Sequence, residues 1–137
     1  MRWTRSSAVL TAAGFLWAVP ATSHHAFSVA FDLERPVSIE GIVTEVKWEN
    51  PHSWIFVDAK RPDGIVEQWR FETQPPNTLR RTGVTATMLK PGITVTIKGY
   101  GSQDRASLAA AASMIVFANG ESFRISAGGT PPPKEGQ

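Results

Sequence analysis

An all-β domain is the fold class this sequence predicts, and three observations predict it. From Val37 to Phe123 the apolar residues recur mostly at every second position, most cleanly in Ile93-Thr94-Val95-Thr96-Ile97, the period of a strand with one wet face. These runs are rich in β-branched and aromatic residues, which suit a pleated surface. They are also punctuated at short intervals by turn chemistry: Asn50-Pro51, Arg61-Pro62-Asp63-Gly64, Pro75-Pro76, Leu89-Lys90-Pro91-Gly92 and Asn119-Gly120.

Taken in order, Val37, Ile39 and Val43 share one phase while Ile42, Val46 and Trp48 share the other. That predicts a long first strand whose inward face changes at a bend near Gly41. Asn50-Pro51 ends it, because proline cannot donate to a ladder and pushes its predecessor out of the helical region. Ser53 to Lys60 restarts as a second strand, with Trp54 and Phe56 on one side and Ile55 and Val57 on the other; apolar on both faces, it is expected to be central. Arg61 to Gly64 is a turn that sends the third strand, Ile65 to Thr73, back antiparallel. There Trp69 and Phe71 face a core, and Gln68, Arg70 and Glu72 face water.

After Pro75-Pro76, Asn77 to Arg81 has room for one helical turn with Asn77 as its cap. The LKPG turn launches a fourth strand, Ile93 to Tyr100. Ala106 to Phe117 is contested, since Leu108 to Ala112 favour helix whereas Met114 to Phe117 favour strand. The second half is read as strand, and Asn119-Gly120 as the hairpin that returns it to Phe123. Five or six strands with one short helix between the third and fourth is the layout of a small OB-like barrel, although a small open sandwich uses the same elements. This β-barrel domain is assigned residues 37–126, and the Gly- and Pro-rich stretch 127–137 is read as a disordered tail.

The start of the chain reads as an export signal. Arg2 and Arg5 precede an acid-free apolar run from Ala8 to Val19 and then small residues, the tripartite pattern of a signal peptide. The run falls short of the roughly 20 residues a membrane-spanning helix needs, so no span is expected after cleavage. Cleavage after Ala21 or after Ser23 satisfies the small-residue rule; the second gives a signal peptide of 1–23 and a lead of 24–36, and a periplasmic or secreted product. No cysteine is present, which removes disulfides, thiolate catalysis and lipid anchoring through cysteine.

The formal charge of +2 comes from 14 basic and 12 acidic residues. Without Arg2 and Arg5 the two signs balance and are interspersed, which argues against a nucleic-acid partner. His52-Ser53 is not a hydrolase pair, because neighbours on an extended segment point to opposite faces. No phosphate loop or dinucleotide fingerprint appears.

The lead His24-His25-Ala26-Phe27, then Phe31-Asp32 and Pro36-Val37, the block from Gly41 through Val43-Thr44-Glu45-Val46-Lys47-Trp48 to Asn50-Pro51-His52-Ser53-Trp54, and Leu89 to Gly92 with Gly99-Tyr100 resemble a bacterial domain-of-unknown-function family of short exported proteins. That resemblance implies export and a small barrel, and no catalytic role comes with it.

Chemistry is thus expected from two sets of residues. His24, His25 and His52 are the chain's three histidines. With the amine freed by cleavage after Ser23, or through a Thr22-Ser23-His24 terminus, they would suit Cu(II) or a similar divalent metal, with Asp32, Glu49 or Asp58 available to complete a ligand set. The plainer fate is a frayed terminus and a His52 hydrogen-bonded within its loop. The second set, Trp48, Asn50, Ser53 and Trp54, would form an aromatic face for a peptide, glycan or partner protein, although most tryptophans of so short a chain are needed in the core. Arg70 and Arg80-Arg81 are candidates to hold an anion. The function expected is a non-enzymatic binding module.

Overall fold

The computed structural model describes residues 30–126 and 130–132. Six strands and one short helix make up the described fold: β1 (Phe31–Lys47), β2 (Ser53–Lys60), β3 (Val66–Thr73), α1 (Pro76–Arg81), β4 (Thr94–Ser102), β5 (Ala109–Phe117) and β6 (Ser122–Arg124). The all-β class and the helix between the third and fourth strands are as the sequence predicts. Along the sheet the order is β3-β2-β1-β4-β5-β6, and β3 pairs β5 as well. That additional pairing is parallel, joining Arg70, Phe71 and Glu72 to Ala109, Ala110 and Ala111; the others are antiparallel. Each of the first five strands therefore has at least two neighbours. No helix among the described residues is long and apolar enough to cross a membrane.

Alternation puts Ile55, Val57 and Ala59 of β2, Trp69 and Phe71 of β3, Val95 and Ile97 of β4, and Ala110, Ala112 and Ile115 of β5 in one buried cluster. Leu79 of α1 and Val84 and Leu89 of the segment after it join the same core. Burial of a Phe, Leu or Val side chain contributes about 1.5–3 kcal/mol, and this shared interior is what holds the sheet curved.

Four elements differ from expectation in instructive ways. β1 begins at Phe31 instead of Val37, because Phe31 is buried with Tyr100 and Ala111 in a second cluster. Its change of inward face lies not at Gly41 but between Val43 and Glu45, where the register with β2 shifts, and Ile42 is exposed. Asn77 does not cap α1: Pro75 holds the cap position with no side-chain hydrogen bond, and the Asn77 side-chain oxygen instead accepts from Arg80.

The alanine run is strand from Ala109 onward. Small side chains are required there because β5 lies against β4 and β3 at once, and a β-carbon on Gly99 would come within 2.0 Å of the Ala111 carbonyl oxygen. The hairpin at Asn119-Gly120 forms as read, with the Gly120 N–H donating to Phe117 O and the Phe117 N–H to Glu121 O. Lastly, Thr130 is buried, and the carbonyls of Pro131 and Pro132 accept from Ser113 Oγ (2.5 Å) and Tyr100 Oη (2.8 Å). This part of the tail is bound to the sheet; the rest of that expectation, like the signal peptide, His24 and His25, lies outside the described residues.

Candidate functional site

Directly opposed residues in neighbouring strands share a face of the sheet, so the register defines what the outer surface carries. Lys47 opposes Trp54, which opposes Glu72. In the adjoining row Glu45 opposes Phe56, which opposes Arg70. The alternation that buries Ile55 and Val57 turns Trp54 and Phe56 the other way, where both are half-buried.

Between these rows lies a groove of about 220 Å³ lined by Lys47, Glu49, Trp54, Phe56 and Arg70. The two aromatic rings come from the middle strand, Lys47 and Arg70 from the strands on either side, and Glu49 from the loop after β1. Lys47 Nζ stands 5.3 Å from the centre of the Phe56 ring, within cation–π range, and 4.0 Å from Glu45 Oε1. Across the groove the Arg70 guanidinium makes no hydrogen bond or ion pair among the described residues. At one end the loop after Asn50-Pro51 carries His52, whose Nδ1 pairs with Glu72 Oε1. With Nδ1–H committed to a carboxylate, Nε2 is the ring atom left for another partner.

Of the residues proposed from sequence for an aromatic face, Trp54 lines the groove and Asn50 is exposed beside it. Trp48 packs against the core, and Ser53 is fully buried with its hydroxyl unpartnered, so Ser53 cannot meet a surface ligand. It follows the inward phase of Ile55 and Val57. Trp69 is core, stacked on Phe71 at 6.0 Å.

The three candidate anion holders separate. Arg80 and Arg81 turn back onto Asn77 at the end of α1, and only Arg70 reaches the groove. Lys47, Phe56 and Glu72 escaped the sequence reading as site residues, although alternation combined with antiparallel pairing of strands two and three would have aligned Phe56, Arg70 and Glu72 with Trp54.

Among the described residues no group of three or more His, Asp or Glu side chains could hold a metal. Asp32 bonds Arg105 at 3.2 Å, and Asp58 accepts from Gln68 at 3.4 Å. A larger cavity of about 420 Å³ lies between Met88, Ile93, Phe117 and Glu121, but the one carboxylate there already accepts from Asn119 at 2.7 Å. The Trp54 groove is smaller, yet of these two it is the one that sets a cation with no partner among the described residues beside aromatic rings.

No curated protein and no solved structure matches the chain. The sequence model of a family of unknown function, DUF6152, does match it over residues 14–110, well over half its length, and the chain belongs to that family.

Proposed function

We propose that the protein is an exported, non-enzymatic binding module of OB-like barrel build, acting in the periplasm or beyond it, and that its ligand lies in the groove floored by Trp54 and Phe56. The observation that carries this reading is the pairing of a half-exposed aromatic floor with an Arg70 side chain that has no partner among the described residues. Arg70 is exposed on the outward face of β3, so its guanidinium is free to meet a ligand, and a cation standing beside aromatic rings is suited to recognition.

Screening oligosaccharides and peptides by tryptophan emission tests it. A true ligand shifts the emission of the wild-type protein and loses at least about tenfold in affinity in Trp54→Ala, whose melting curve serves as the folding control. Ligands that bind Trp54→Ala as tightly as wild type would move the site elsewhere.

A second reading is Cu(II) binding by His52 together with His24 and His25 of the processed terminus. It is favoured by one observation, the Glu72 carboxylate on Nδ1, since metal-bound imidazoles usually hold such a partner on their other nitrogen. It predicts that His52→Ala and His24→Ala each weaken Cu(II) binding; micromolar or weaker binding, unchanged by either substitution, contradicts it.

A further inference from the structure

Resting on the groove reading above, we infer that the ligand is a carboxylated sugar, a uronic acid residue of an acidic glycan. The middle strand, β2, is hydrogen-bonded to β1 on one side and to β3 on the other. Its ladder groups are spent, so a peptide backbone laid along the groove floor has nothing to pair with there, and recognition falls to side chains.

Those side chains are suited to a ring bearing one acid and several hydroxyls. Trp54 offers an aromatic face to the C–H side of a pyranose, whose slightly positive hydrogens meet the negative face of the ring, and Phe56, about 7 Å along the same face with Lys47 over its ring, borders it. The groove's volume of about 220 Å³ admits one such ring. Arg70 presents a planar fork matched to a carboxylate. Lys47 as donor, Glu49 as acceptor and the Trp54 indole N–H, unpartnered among the described residues, suit hydroxyl groups.

A dianionic phosphate fits less well. Glu49 lines the same groove and Glu45 stands beside it on Lys47, and the repulsion these carboxylates exert doubles from a monoanion to a dianion. A single carboxylate balances Arg70 and leaves Lys47 for hydroxyls.

The test titrates the purified secreted chain with trigalacturonic acid, with the matching neutral galactose trisaccharide and with a short Glu-rich peptide. Heat of binding and tryptophan emission are read together. The uronide is expected to bind with a shift in emission, more weakly as salt rises. Arg70→Gln should lower its affinity about tenfold or more without changing the melting curve, and Glu121→Gln, at the other cavity, should leave it unchanged. Neutral sugar or acidic peptide binding as tightly as the uronide, with Trp54 still required, overturns the acidic-sugar assignment while the groove reading stands. Absence of binding by all three probes overturns the assignment as well, and uronide binding that Trp54→Phe and Arg70→Gln both leave intact overturns the groove reading with it.

Discussion

Two glycines show how differently single positions can constrain this chain. A β-carbon at Gly99 would meet the Ala111 carbonyl oxygen at 2.0 Å and its carbonyl carbon at 3.0 Å, backbone atoms that cannot rotate away. At Gly64 such an atom would meet nothing within 4 Å, but the residue has a φ of +89°. Gly99→Ala is therefore a packing lesion between β4 and β5, costing about 2–3 kcal/mol, and Gly64→Ala a conformational one, costing about 1–2 kcal/mol. Thermal melts should rank the Gly99 variant below the Gly64 variant; the opposite order would mean that β4 and β5 can separate cheaply at this point. Arg70 belongs at this scale too. Its neighbours on β3 are buried Trp69 and Phe71, so the strand is anchored from the inside while Arg70 is exposed at the groove.

At the scale of elements, what was legible in the sequence was local. β2 and β3 follow from strict alternation, the turn between them from Pro62 and Gly64, and α1 from the space after Pro75-Pro76. The Gly64 N–H donates to Arg61 O at 2.9 Å and the Arg61 N–H to Ile65 O at 2.8 Å, as turn chemistry at those positions implies. The alanine run was not legible, because its intrinsic preference is helical and the force that overrides it comes from strands distant in sequence. Ala111 opposes Tyr100 on β4 and Glu72 on β3, and larger side chains would not fit where three strands converge. The capacity of Tyr100 and Ser113 to hold two proline carbonyls of the tail was hidden for the same reason. The candidate site was half legible: Trp54 stood out as an aromatic on a strand apolar on both faces, while Lys47 and Arg70 became part of the same site only once the register of β1, β2 and β3 was known.

For the molecule as a whole, the parallel β3–β5 pairing carries one row of residues from the exposed groove to the buried Ala111 and Tyr100. From Lys47 through Trp54, Glu72 and Ala111 to Tyr100, each residue directly opposes the next, so the groove, His52 on Glu72 and the tail contact at Tyr100 lie along one continuous row. A ligand in the groove touches strands that share a core, and its binding energy adds to the stability of the whole fold. The most direct test of the groove as the binding site is a map of backbone amide shifts in the protein titrated with trigalacturonic acid. The account predicts saturable changes confined to Lys47, Glu49, Trp54, Phe56, Arg70 and their sequence neighbours. Changes centred on Met88, Ile93 and Phe117 instead, with the Trp54 and Arg70 amides unmoved, would contradict it.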